Sequence, residues 1–505
     1  MRVWPLGFMF FLLGVFLRGI PELIVEKYPV GYDTTAHYIF NILNFGRLDV
    51  VEMLRQAPLF YLIAYGSIQI LGIDVFTLLK ISGPVMYGLL CCSLYYFLRW
   101  GLGFRLDAAT LGGLIFTSQL VSLRLSWDMF RLELGLALMF TTIILILRNS
   151  RGKGFLVAIF SILTVLAHQM ASLTMFFTAL WILIRRRSLG GELISNIVPL
   201  IPSGVLFTLI LYITFLVPSA PDPKIVTLGS SRLFPSYFEI DPRFMEGGYI
   251  TIVRNIALLM LFCYGLISPL IVRGFKRDET LDPMLVFFSV GSFSPIVFPF
   301  ISMPAVYWRW ILILIIPLSA YSALGLMKYR LLWRRRAAGI ILLFTIFFGL
   351  SVGYASGTLP LRGLYFTFAG RQPGPPNPGR TWYGPVESLN TYIPASLVAT
   401  STSVENITGV IDDCIGSLRW LDRNAQQESL LLTEERFTSW ARLYTFERMR
   451  LALYSGLTPI DKVLSELKDQ RFEHIYLIWY SNVSLKDFRE VHRQGSITIY
   501  EYVSE

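Results

Sequence analysis

Asp33 and His37 stand one helical turn apart in Gly31-Tyr32-Asp33-Thr34-Thr35-Ala36-His37. A carboxylate beside an imidazole suits general-base chemistry: the carboxylate takes a proton, and the imidazole orients it or binds a metal. Residues 34–45 read as a helix capped by Asp33, which puts Asp33, His37, Asn41 and Asn44 on one face. Tyr38, Ile39, Phe40, Ile42 and Leu43 fill the rest, so the segment offers one polar and one apolar stripe. The plainer alternative makes Asp33 an N-cap only and leaves the stripe solvated.

The elements that must position this pair are membrane helices. Of 505 residues, 54% are hydrophobic and 15% charged, with a mean hydropathy of +0.57, which excludes an ordinary soluble domain. Apolar runs recur at about the 20 residues that a helix needs to cross a bilayer. The spans expected are 3–20, 76–98, 106–123, 132–147, 154–168, 170–184, 193–217, 250–272, 283–301, 306–326 and 337–354, about eleven. The first run lacks a small-residue cleavage site and reads as a retained helix rather than a signal peptide. Cys91, Cys92 and Cys263 lie in apolar runs and Cys414 stands alone, so no disulfide framework is indicated.

The net charge of +10 is a topology signal rather than a nucleic-acid footprint. Basic residues gather in five short loops, around Arg99/Arg105, Arg148/Arg151/Lys153, Arg185–Arg187, Arg273/Lys276/Arg277 and Lys328–Arg336. Taking those loops as cytoplasmic puts the N-terminus inside. The loop 21–75, the short loop 124–131, the turn at His168, the loop 218–249 and the C-terminal part then lie outside. Pro58 to Gly72 breaks this parity. Its polar stripe Tyr61, Tyr65, Gln69 suits a helix lying in the interface; the alternative is that it spans and reverses the N-terminus.

Residues 1–370 thus read as the membrane domain and 371–385 as a Pro/Gly linker. Residues 386–505 read as a small extracytoplasmic α/β domain. In the last part, strands are expected at 397–401, 429–433, 474–480 and 496–503, alternating with helices at 412–424, 434–447 and 459–470. Two glycosylation sequons, at Asn406 and Asn482, fall there and fit an outside location.

Further ionisable groups mark the outer ends of the spans: Lys80; Asp128, Arg131 and Glu133; His168; and Arg309 in Tyr307-Trp308-Arg309-Trp310. Charges at a membrane boundary are costly and are functional candidates by default. Snorkelling and local pairing, such as Asp128 with Arg131, are the alternative. His168 has the plain reading of a helix-end residue bonded to a carbonyl. Lys and Arg at such a depth suit a lipid-linked phosphate.

The layout resembles the GT-C superfamily of integral-membrane glycosyltransferases, which includes protein O-mannosyltransferases and aminoarabinose transferases. Gly31-Tyr32-Asp33 with His37 looks like the first-loop acidic motif of that group. Ala57-Pro58-Leu59-Phe60-Tyr61 resembles the segment that follows it, and Lys80-Ile81-Ser82-Gly83-Pro84 stands where relatives carry a basic residue, small residues and proline. Ala57 replaces the usual first proline and Gln56 a common histidine. No second carboxylate stands beside Asp33, which counts against a divalent metal. The resemblance implies a polyprenyl-phosphate-linked sugar donor and inverting transfer to a glycan, lipid or protein acceptor in the cell envelope. Asp33 would be the general base with His37 beside it, and Asp128 a later acid. Lys80, Arg131, His168, Tyr307 and Arg309 would stand around the donor. It also implies a multi-pass protein of the plasma membrane, with no nucleic-acid partner.

Three other readings compete, one of them a non-catalytic membrane scaffold presenting the soluble C-terminal part, which would not need an inward polar stripe beside basic span ends. A transporter or flippase would place its charges near the bilayer midplane on broken or repeated helices, and no repeat is evident. A polymerase of lipid-linked oligosaccharides shares nearly every feature above.

Overall fold

The computed structural model describes residues 4–24, 27–29, 34–148, 153–185, 198–217, 225–227, most of 253–297, 307–328, 409–426, 428–445, 449–454, 460–467, 472–481, 485 and 487–503. The expected span 337–354, the linker 371–385, the strand at 397–401 and both sequons lie outside them, as do Gly31, Tyr32 and Asp33.

The protein is a polytopic helical bundle. Among the described residues five helices are long and apolar enough to cross a membrane: Pro5–Leu23, Val75–Gly101, Phe130–Leu147, Val198–Leu216 and Arg309–Lys328. Lys153–Ala167, Gln169–Arg185 and Leu281–Val297, expected as spans, are shorter apolar helices of 15, 17 and 17 residues. Apolar side chains point outward in stripes, such as Phe8, Leu12 and Phe16, or Val286, Val290 and Val297. Such exposure is costly in water and ordinary against lipid.

The first helix, α1 (Trp4–Ile24), precedes a loop carrying α2 (Phe40–Asn44), α3 (Val50–Arg55) and α4 (Leu59–Leu71), after which α5 (Val75–Tyr96) returns along α1. Gly14 and Gly88 let the two backbones touch: a Cβ on Gly14 would lie 2.9 Å from the Gly88 Cα. Tyr28 and Phe76 meet edge to face at one end of the pair. The chain between them therefore starts and finishes at that end, and α4, with 13 residues, is shorter than a helix needs to cross a bilayer. Of its expected stripe, Tyr61 is buried and Tyr65 half-buried against the loop, while Gln69 is exposed.

Next come α6 (Leu106–Ser118), α7 (Leu120–Asp128), α8 (Phe130–Leu147), α9 (Lys153–Ala167), α10 (Gln169–Arg185) and α11 (Ile201–Leu216). Here the structure corrects two expectations. Residues 106–123 are not one straight helix: Leu106–Ser118 and Val121–Trp127 are bent by 57° to each other, as in a broken span or a re-entrant loop. Residues 124–131 are not an open loop, because α7 is buried, with Ser122, Arg124, Ser126 and Trp127 all inside. The buried hydroxyls explain how polar residues fit: Ser122 and Ser126 return hydrogen bonds to carbonyls of their own segment.

The remaining membrane helices are α12 (Ser268–Gly274), α13 (Leu281–Val297), α14 (Tyr307–Ile313) and α15 (Ile315–Lys328). Buried on nearly every side, α15 is the core of the bundle. Gly274 and Gly325 sit where α12 and α15 cross so closely that a Cβ on either would meet the other backbone. Basic turns collect at the end opposite Tyr28: Arg148 lies over the Trp100 ring at 4.9 Å, and Lys328 donates to the Arg273 carbonyl at 2.7 Å.

The C-terminal layer is a six-stranded sheet of order β1-β3-β2-β4-β6-β5. Its strands are β1 (Ile225–Thr227), β2 (Leu430–Glu434), β3 (Arg450–Tyr454), β4 (Ile475–Tyr480), β5 (Phe488–Gln494) and β6 (Ile497–Tyr502). The first four pair in parallel and the last two antiparallel. Helices α16 (Gly409–Asn424), α17 (Glu435–Tyr444) and α18 (Ile460–Leu467) cover it. The edge strand β1 comes from the loop after α11, so a membrane-domain loop is stitched into this sheet.

Candidate functional site

Polar side chains converge where α1, α5, α7 and α8 meet, toward the end at which Tyr28 touches Phe76. Arg18 and Glu22, i and i+4 on α1, are buried and 2.7 Å apart. Arg18 Nε donates to the Ser126 carbonyl at 3.2 Å, and its guanidinium lies over the Trp127 ring at 4.7 Å. Neither terminal nitrogen of Arg18 is aligned for a hydrogen bond, so its attraction to Glu22 is Coulombic. Gly83 makes room for this group: a Cβ there would come within 2.8 Å of Arg18 Nη2. Lys80, in the second turn of α5, donates to the Glu22 carbonyl at 2.6 Å and so ties down the last turn of α1. Glu133, in the first turn of α8, is fully buried, with neither carboxylate oxygen hydrogen-bonded; the cation acting on it is Arg18.

A second group forms around the break between α9 and α10. His168 Nδ1 accepts the Met170 N–H at 3.1 Å, capping α10. The expected bond to a carbonyl is thus replaced by one from an amide. Burial, and then the positive charges of Arg131 and Arg309, hold the imidazole well below its usual pKa of 6.5. Arg131 Nη1 donates to the Gln56 carbonyl, and its guanidinium lies over the Tyr61 ring at 5.3 Å. Arg131, His168 and Arg309, from distant parts of the chain, are thereby brought together.

The loop carrying the acid–histidine motif packs against this region through aromatic rings. Tyr38 stacks on Phe130 with centroids 5.3 Å apart, and touches Phe60 and Tyr61. Asn41 donates to the Tyr61 hydroxyl at 3.2 Å. The expected helix over 34–45 begins as a π-helical stretch, Thr34–Ile39, before α2. Asn44 turns back to its own Phe40 carbonyl at 2.9 Å. His37 is half-buried; Thr34, the first described residue after Asp33, is buried. Asp128 closes α7 and Tyr307 opens α14, with both side chains outside the described residues. Among the described residues no three His, Cys, Asp or Glu side chains converge as a metal site would need.

No protein-family profile and no curated protein sequence matches the chain. Solved structures do. Arabinofuranosyltransferase AftD from mycobacteria is similar over 100% of this chain, with a TM-score of 0.53 at 11% identity. The fold is the GT-C fold. This chain spans 40% of the length of AftD, so what is shared is the architecture. ArnT from Cupriavidus metallidurans, solved bound to undecaprenyl phosphate, is similar over 98% of both chains at 12% identity and a TM-score of 0.47.

Within this GT-C fold, Arg18, Glu22, Arg124 and Trp127 were not among the residues the sequence singled out. Arg18 and Glu22 do leave a signal, since an oppositely charged i, i+4 pair closing an apolar run is a pair bound for burial. Arg124 reads as the edge of a loop only as long as 106–123 is taken for a straight span.

Proposed function

We propose that the chain is a membrane glycosyltransferase that moves a sugar from a polyprenyl-phosphate donor to an acceptor hydroxyl at the extracytoplasmic face. Asp33 takes the proton of the acceptor hydroxyl while its oxygen attacks the anomeric carbon. The bond from that carbon to the phosphate oxygen breaks, the configuration inverts, and the phosphate departs with the electron pair. Arg131 and Arg309, and Lys80 with them, bind the donor phosphate and stabilise the charge that grows on it. The end of the bundle that carries the sheet is outside, the basic turns are cytoplasmic, and the membrane is the plasma membrane.

The observation that carries this reading is Arg131 at the start of α8, held between the Gln56 carbonyl and the Tyr61 ring of the loop that bears the acid–histidine motif, with buried His168 within the field of both Arg131 and Arg309. The donor phosphodiester carries one negative charge and the departing phosphate gains a second, so guanidinium groups at that place hold the leaving group more strongly than the donor. Sharing the GT-C fold with an arabinofuranosyltransferase supports the reaction class.

The test uses purified full-length protein and radiolabelled polyprenyl-phosphate pentoses and hexoses. Wild type is expected to release the label from the lipid onto an acceptor. Asp33→Asn is expected to abolish release and keep donor affinity; wild-type turnover in that variant overturns the assignment of the base. Arg309→Ala is expected to weaken donor binding at least tenfold, and unchanged affinity removes Arg309 from the phosphate site.

A further inference from the structure

The C-terminal layer grips the first outer loop on both sides of the segment that carries Asp33. Upstream, Asp412 of α16 accepts hydrogen bonds from Lys27 Nζ and the Tyr28 hydroxyl, each at 2.5 Å. Trp440 of α17 is fully buried, edge-on to Tyr28 at 5.4 Å and stacked on Phe76 at 6.2 Å. Downstream, Arg442 of the same helix lies over the Phe40 ring at 4.0 Å, and Leu443 packs against the cluster of Tyr38, Ile39 and Ile42. Two adjacent helices thus hold residues 27–28 and 38–42, with Asp33 between the two anchors. The sheet behind these helices is itself tied to the membrane domain through β1.

We infer that α16 and α17 are a positioning clamp for the first outer loop, with Asp412, Trp440 and Arg442 as positioning residues. The clamp fixes, relative to the bundle, the spacing of the two anchors that bracket Asp33 in the chain. The inference rests on the reading of Asp33 as the base only for its catalytic consequence; the clamp itself is a mechanical claim.

The experiment has two arms, both on the full-length protein in detergent. The first measures amide hydrogen exchange over residues 27–47. Trp440→Ala and Asp412→Lys are each expected to raise exchange there about tenfold, with the bundle helices unchanged. Adding Lys27→Asp to Asp412→Lys is expected to restore protection by reversing the pair. Where Trp440→Ala does not fold, Trp440→Phe and the charge reversal carry the test. Unchanged exchange in folded variants, or no recovery in the reversed pair, overturns the clamp.

The second arm measures transfer from the polyprenyl-phosphate sugars. The loosened variants are expected to lose about tenfold or more in kcat with KM for the donor unchanged, since a misplaced base costs turnover and not affinity. A rise in KM alone overturns the positioning role. Loosened loops in a protein that transfers no sugar even as wild type leave the clamp standing and remove the catalytic reading.

Discussion

Arg18 and Glu22 meet inside the helical bundle, whereas Lys27 and Asp412 meet in the open between the first loop and the sheet layer. The separations are nearly equal, 2.7 and 2.5 Å, yet the side chains are 0% and 5% exposed in the first pair and 61% and 46% in the second. Distance alone would rank the two as equals. Environment separates them: a buried pair has lost its hydration, so removing one partner strands the other, while an exposed pair returns its partner to water. The buried cluster therefore governs whether the bundle holds together, and the exposed one governs where a loop sits on it.

The sharpest way to break this contrast is Arg18→Ala. It removes the cation that pairs with buried Glu22 and acts on buried Glu133, and is expected to cost about 3–5 kcal/mol. The same truncation at Lys27 is expected to cost under about 1 kcal/mol. Thermal unfolding of the two variants in one detergent checks the ranking. Equal shifts would mean that water reaches the inner cluster and that its burial is not what matters.

Gly83→Ala gives a smaller, more local effect. The new methyl would stand 2.8 Å from Arg18 Nη2 and 3.2 Å from Phe130, with the guanidinium already hemmed by Ser126 and Trp127. A cost of about 1–3 kcal/mol is expected, as for other overpacked sites. Because the obstruction is Arg18 itself, the cost is expected to shrink in an Arg18→Ala background. An unchanged cost there would put the strain on Phe130 alone.

The two regions also differ in how far they were legible. In the C-terminal layer, strands expected at 429–433, 474–480 and 496–503 are found at 430–434, 475–480 and 497–502, because apolar runs bounded by helices carry their own signal. Three strands were missed. Arg450–Tyr454 is a five-residue run in the gap between the helices expected at 434–447 and 459–470. Phe488–Gln494 is an edge strand with charged residues, as edges often are, and reads as solvated loop. Ile225–Thr227 belongs to the sheet only through pairing with β3, more than two hundred residues away in the chain, and nothing local marks it. In the bundle, hydropathy located the helices but not the bend after Ser118, since a buried broken helix is as apolar as a straight one. Counting ends of spans put Arg131, His168 and Arg309 on one face, together with Lys80, Asp128 and Glu133, without singling out these three. The inner cluster was missed, because Arg18 was absorbed into an apolar run.

Proton binding sharpens the contrast from the exposed side. Burial raises the Asp412 carboxyl, but hydrogen bonds from Lys27 and Tyr28 and the Lys27 charge outweigh it and hold the group below its ordinary value of 3.8. A carboxyl depressed in the docked state contributes its full stabilisation above that ordinary value and loses it as pH falls through the docked value. Amide exchange at residues 27–28, corrected for the intrinsic pH dependence of exchange, is therefore expected to be flat above about 3.8 and to rise below it. Asp412→Asn is expected to show weaker protection throughout and to lose that step. A step that persists in Asp412→Asn would mean that another carboxyl, and not Asp412, governs the docking of the first loop in acid.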